Sequence, residues 1–219
     1  MKNLKILHVP TDCGNHGTLL ARTERLLGYD SWSIVFAQSY LGYKADLVIG
    51  GRSITNLLRL ELKRWKLMWQ ARKFDVICYN YGSSMAPTPP FVGLGLHGGL
   101  KRKIYTICTF PFQMLDVVFF HLLGKTIIVL FQGGDARIGS HALDKHEHAK
   151  GYYSPLMDTI KRTRIKIWDK LADHIYFLNP DLYQFLPKRS KFLPYLYKGD
   201  ENGKTNIRPC RKPPQSERD

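Results

Sequence analysis

From Thr126 to Phe131 the chain runs through apolar and β-branched positions with no alternation, then breaks into Gln132-Gly133-Gly134-Asp135-Ala136-Arg137. A short run of that kind predicts a strand buried on both faces. Comparable runs lie at Leu4–Val9, Trp32–Phe36, Asp75–Asn80 and Ala172–Leu178, with shorter ones at Ala45–Ile49 and Lys191–Tyr195. Helical patterns separate them. Thr18–Leu27 sets Leu19, Leu20, Leu26 and Leu27 near one face, with Gly28 placed to cap it. Ser53–Lys73 is long and free of Gly and Pro. Pro155–Leu171 carries Lys161, Arg162, Arg164, Lys166 and Lys170, which the pattern assigns to an exposed side. Asn179-Pro180-Asp181 reads as a helix start, Asn179 as N-cap and Pro180 at the first helical position. Strands alternating with helices predict an α/β class: a Rossmann-like parallel sheet flanked by helices in a single domain, residues 1–196. From 197 to 219 prolines and charges replace the apolar positions, and a disordered polar tail is expected.

The polar turns of interest follow strands. They contain Gly14, Asn15, His16 and Gly17; Asn80, Gly82 and Ser83; Gly133, Gly134, Asp135 and Arg137; and Asn179. In open parallel sheets ligands bind beyond the carboxyl ends of the strands, so these residues are the acceptor- and anion-binding candidates. The first turn lacks the strict G-x-G-x-x-G spacing. Such a loop can still offer backbone N–H groups and a positive helix end to an anion. His16 is read either as a ligand contact or as an idle surface histidine. Asp135 is read either as chemistry or as the cap of the next helix after a tight turn.

Lys plus Arg number 33 against 18 Asp plus Glu, a formal charge of +15. That balance points to anionic partners: nucleic acid, an anionic membrane surface or a phosphorylated substrate. Nucleic acid is set aside, because the bases are spread over several helices and no nucleic-acid motif is present. The Ser53–Lys73 helix interleaves bases, leucines and tryptophans, which makes Lys63, Arg64, Trp65, Lys66 and Trp69 the membrane-contact candidates. The competing reading is a crossover helix with its leucines on the sheet and a solvated basic face. Ile104–Leu123 is about long enough to span a bilayer, but Pro111, Gln113, Asp116 and His121 interrupt it, and a buried crossover helix is expected. Cys13, Cys78, Cys108 and Cys210 form no C-x-x-C pair. The histidines and acids from His141 to His148 match no zinc spacing, so a mobile polar loop and no metal are expected there. The amino terminus enters a strand without an apolar leader. With reduced cysteines this makes the expected location cytoplasmic, extended by the basic helix to a peripheral position on the inner membrane face.

Four stretches in this order carry a resemblance: Lys5–Pro10 with its Gly14/Gly17 loop, Phe74–Ile77 leading to Asn80-Tyr81-Gly82-Ser83, Phe131–Arg137, and Ala172–Asp181. Together they resemble the amino-terminal domain of GT-B glycosyltransferases of the family-4-like group. The resemblance implies one half of a GT-B fold, holding a glycan or lipid-linked acceptor while a nucleotide-sugar serves as donor substrate, with no other cofactor. It implies Arg137 as an anion or hydroxyl anchor, Asp135 as a hydroxyl acceptor, and the Gly14–Gly17 loop as part of the stabilisation of a leaving diphosphate. The second domain, which holds the donor in that family, has no counterpart in this sequence. A truncated product, or a half working with a separate donor domain, is therefore the expectation. The alternative is a non-catalytic basic module that binds an anionic membrane surface or a phosphorylated ligand.

Overall fold

The computed structural model describes residues 4–37, 42–50, 57–86, 108–139 and 155–194. In chain order these form β1 (Lys5–Val9), α1 (His16–Leu26), β2 (Asp30–Val35), β3 (Leu47–Val48), α2 (Leu57–Ala71), β4 (Val76–Asn80), α3 (Leu115–Leu122), β5 (Thr126–Phe131), α4 (Pro155–Leu171), β6 (His174–Phe177) and β7 (Lys191–Phe192). The strands make one sheet in the order β3-β2-β1-β4-β5-β6-β7, and every pairing is parallel. The fold is thus an α/β, Rossmann-like sheet flanked by helices. The His141–His148 stretch and the 197–219 tail lie outside the described residues.

Strand order reverses between β1 and β4, and that reversal fixes which helices share a face. Right-handed crossovers put α1 on one face and α2, α3 and α4 on the other. The large core lies on the second face. Leu7, Val9, Ile77, Tyr79, Ile127, Val129, Phe131, Ile175 and Phe177 meet Leu67 and Met68 of α2, Val117 and Phe120 of α3, and Ile165 and Trp168 of α4. Among the described residues, the face under α1 holds a small apolar cluster of Ile6, Val76 and Cys78. Beyond α1's reach, Thr126 and Ile128 are only half-buried, so β5 is not covered equally on both sides as its composition predicted.

Helix α1 departs from its predicted face. Leu26 and Leu27 are exposed, and His16, Gly17, Thr18 and Ala21 are buried instead. The cause is the sheet beneath, which presents His8, Ser31 and Ser33 in adjacent register. Buried polar groups must be paired. Glu24 accepts from the Ser31 hydroxyl at 2.6 Å and lies 2.8 Å from Nε2 of His8. The Thr18 and Ser33 hydroxyls meet at 3.3 Å.

Of the apolar stretch before β5, residues 104–107 lie outside the described residues, and the rest includes a short 3-10 turn, Phe110–Phe112, and the two-turn α3, whose Met114 N-cap is left-handed (φ 62°). Among the described residues no helix is long and apolar enough to cross a membrane. Asp116, a reason for doubting a span, is fully buried and accepts the Met85 N–H at 2.6 Å.

Candidate functional site

Because all strands run the same way, the turns after β1, β4, β5 and β6 open on one rim of the sheet. The turn after β4 passes through two left-handed residues, Tyr81 (φ 59°) and Gly82 (φ 51°). A non-glycine residue in that conformation costs on the order of 1–2 kcal/mol, so surrounding contacts must hold it. Side chains from three helices do so. Arg64 of α2 donates to the Met85 carbonyl at 2.8 Å, Asp116 of α3 takes the Met85 N–H, and Trp168 of α4 donates to the Gly82 carbonyl at 3.2 Å.

Arg64 therefore corrects the sequence reading. It is 5% exposed, pairs with Glu61 at 3.3 Å and stacks its guanidinium over Phe36, 4.5 Å from the ring centroid. It is a strut of the β4 turn and cannot touch a membrane. Its neighbours remain outside: Lys63 and Lys66 are exposed, Trp69 is 57% exposed, and Trp65 is partly exposed. Trp65 packs edge-on against Phe112 at 6.0 Å, and Arg72 stacks over Trp69 at 3.5 Å.

The turn after β5 is closed from within. The Asp135 carboxylate accepts the N–H groups of Gly133 at 2.6 Å and of Gln132 at 3.0 Å. These donors precede it in the chain, so the carboxylate is seen holding its own turn and not the start of a following helix; burial pushes its pKa up to about 6 against the pull of those donors. Arg137 reaches across to the turn after β6 and grips Asp181 with two hydrogen bonds, 2.6 and 3.1 Å. Gly133 leaves room for this, since a β-carbon there would stand 3.0 Å from the guanidinium. Asn179 does not cap the helical turn that follows it. Its side-chain amide donates to the Gln132 carbonyl instead and ties the β5 and β6 turns together.

The turn after β1 also differs from expectation. The α1 N-terminus is occupied by the chain's own carboxylate: Asp12 takes the Gly17 N–H at 3.0 Å and the Thr18 hydroxyl at 2.5 Å. The loop of Gly14 and Asn15, both left-handed, thus wraps around an internal anion rather than presenting that N–H to a ligand. His16 is 1% exposed, so it is no surface histidine. Burial lowers its pKa, with the Asp12 carboxylate pulling the other way. Cys13 is close enough to Asp135 and Asp12 that their charges join burial in raising its thiol to about 11. The β1 and β5 turns are therefore neighbours across β4.

Two cleft walls escaped the sequence. Lys161 and Arg164 of α4 face inward and, with Tyr81, Ser83 and Gly134, line a small cleft. Lys161 is 3% exposed and donates to the Arg137 carbonyl at 2.7 Å. Gln132 was also missed. Its side-chain Nε2, like Nδ2 of Asn80, is a buried donor with no hydrogen-bond partner. Two residues beyond Leu130, Gln132 shares the α1 side of the sheet with Asn80, which pairs in register with Leu130. Ser83 donates to the Tyr81 carbonyl at 3.0 Å. Among the described residues no group of three or more His, Cys, Asp or Glu could hold a metal ion.

No protein-family model matches the chain, and no curated protein matches it in sequence.

Proposed function

We propose that this chain is the acceptor-side domain of a GT-B-type glycosyltransferase, which holds a glycan or lipid-linked acceptor for sugar transfer from a nucleotide-sugar bound by a donor domain. One observation carries the reading: the turns after β1, β4, β5 and β6 converge on one rim, next to the point where strand order reverses. That is where open parallel sheets bind ligands. The unpaired amide donors of Asn80 and Gln132 support it further. A buried unsatisfied amide costs about 1–3 kcal/mol, a loss that a hydroxyl-rich ligand accepting those hydrogens would recover.

An acceptor carried on a lipid calls for a membrane-facing wall. The wall we infer is formed by α2 and α3. Leu62, Trp65 and Trp69 on α2 and Leu115, Val118 and Leu122 on α3 are exposed, beside Lys63, Lys66 and Arg72. Apolar side chains flanked by bases suit an anionic lipid interface. The chain would then sit peripherally on the inner membrane face.

The test is transfer in trans. The chain is combined with a separately produced donor domain, labelled nucleotide-sugars and polyprenyl-phosphate-linked saccharides in vesicles. Labelled product, or acceptor binding abolished by Asn80→Ala with Gln132→Ala, supports the proposal. Neither transfer nor acceptor binding overturns it. Vesicle binding that survives without either would favour the second reading, a basic module whose business is the membrane surface alone.

A further inference from the structure

The turns after β1 and β5 flank the end of β4, because β4 lies between those two strands. Asn80 closes β4 and Gln132 follows β5, both on the α1 side. Asn80 is 2% exposed and Gln132 7%. Their main-chain groups are engaged. The Asn80 carbonyl accepts from the Thr11 hydroxyl at 3.3 Å, the Gln132 N–H donates to Asp135, and the Gln132 carbonyl accepts from Asn179. Their side-chain nitrogens have no partner. The Asn80 amide reaches the first turn of α1, where a β-carbon on Gly17 would stand 2.5 Å from its Nδ2. The carboxylate of Asp12 sits on that same turn, on the Gly17 N–H and the Thr18 hydroxyl. Asp135 stands across from it, and the charges of both acids reach Cys13. Burial lowers the pKa of His16, so at neutral pH its ring does not offset Asp12. Lys161 approaches Asp135 from α4 and is coupled to its charge, which leaves Asp12 the larger share of the negative field.

We propose that the crevice between the β1 and β5 turns selects an uncharged sugar: Asn80 Nδ2 and Gln132 Nε2 donate to its oxygens, while Asp12 and Asp135 turn away carboxylated analogues. A hydroxyl both accepts and donates, so it suits amide donors set beside carboxylates. A uronate could also accept from the amides, but it shares its sign with Asp12 and Asp135. In a site poor in water that repulsion is stronger than in bulk solvent. The local sign is thus opposite to that of the chain as a whole, whose formal charge is +15. A basic surface gathers anions, and this crevice refuses them. The selection against anions needs only this geometry. The identification of the sugar as part of a glycan acceptor rests on the glycosyltransferase reading above.

The experiment is a ligand-observed NMR titration of the whole chain. The probes are the methyl glycosides of glucose, galactose, mannose and N-acetylglucosamine, each paired with its C6-oxidised uronate. Saturable binding of at least one neutral glycoside is expected, with its uronate weaker by about tenfold or more. Asn80→Ala should weaken the neutral glycoside by about tenfold. Asp12→Asn keeps an acceptor for the Gly17 N–H and should narrow the ratio of neutral to uronate affinity by about threefold or more; Asp135→Asn should narrow it less. Thermal unfolding is followed in parallel, and the Asp135 variant serves alone if the Asp12 variant does not fold. A uronate bound as tightly as its neutral partner overturns the proposal. So does a ratio unchanged in every carboxylate variant that folds, neutral binding indifferent to Asn80→Ala, or the absence of saturable neutral binding. Selective neutral binding without transfer in trans would retain this subsite and remove the glycosyltransferase reading; transfer to uronate-ended acceptors as readily as to neutral ones would do the reverse.

Discussion

Gly82 lies against the ring of Phe131 so closely that a β-carbon would stand 2.6 Å from Cε1 and 2.9 Å from Cδ1. The ring is buried in the main core and cannot swing aside. Gly124 has a similar left-handed backbone, φ 65° against 51°, with nothing within 4 Å of its would-be β-carbon. The two sites separate backbone strain from overpacking. Gly124→Ala is expected to cost about 1–2 kcal/mol from strain alone. Gly82→Ala adds about 1–3 kcal/mol for displacing the ring. Urea unfolding checks this, and equal losses at the two sites would show that Phe131 does not confine the turn.

The parallel sheet was legible because its strands are short apolar runs and its turns carry glycines and acids, a local pattern that the pairing leaves intact. The face of α1 was not. Its leucines outscore its polar residues on any apolar count, yet the sheet below offers His8, Ser31 and Ser33, and only Glu24 and Thr18 can answer them. Lys161, Arg164 and Arg64 were misplaced for the same reason. A basic residue on a helix reads as solvated until a distant carbonyl or ring arrives to meet it. Here these are the Arg137 carbonyl for Lys161 and the Met85 carbonyl with the Phe36 ring for Arg64. Asp12 was unmarked because its partners lie in the helix that its own loop begins.

Arg64 and Trp65 are adjacent in sequence and opposite in role. Removing the buried guanidinium leaves the Met85 carbonyl and Glu61 without it. Arg64→Ala is therefore expected to destabilise the fold by about 3–5 kcal/mol, the range for breaking a buried charge pair. Trp65→Ala with Trp69→Ala should change stability far less. The double variant should weaken sedimentation with vesicles containing phosphatidylglycerol by at least fivefold. Unchanged vesicle binding in the tryptophan variant would remove α2 from the membrane-facing wall.

Gln132 should display a trade between stability and binding. Its Nε2 is buried without a partner, so Gln132→Met, close in shape and apolar, is expected to raise stability by about 0.5–2 kcal/mol. The same change should weaken acceptor binding if the amide serves a ligand. A loss of stability would mean that the amide is structurally satisfied in solution. A gain in stability with undiminished binding would remove Gln132 from the site.

The acid at the tip of the β5 turn makes stability depend on pH in a stated direction. Asp135 is pushed up to about 6 by burial, although Gly133 and Gln132 donate to its charged form. An unfolded aspartate titrates near about 3.9. Between roughly pH 4 and 6 the native chain therefore keeps a proton that the unfolded chain has released, and stability falls as pH rises through that window. The contribution of the protonated carboxyl is complete below about pH 4 and gone above about pH 6, with a magnitude on the order of 3 kcal/mol. Other groups slope the opposite way. Glu24, despite burial, is held low by His8 and Ser31, and burial lowers His16, so the raw curve of the wild type mixes signs. The difference between wild type and Asp135→Asn isolates the one group, because asparagine keeps an acceptor for the turn and does not titrate. In urea unfolding from pH 4 to 7, the variant should gain on the wild type steadily up to about pH 6 and level off beyond it. A difference independent of pH would mean that Asp135 is ionised throughout, and that the turn stabilises its charge more than burial opposes it.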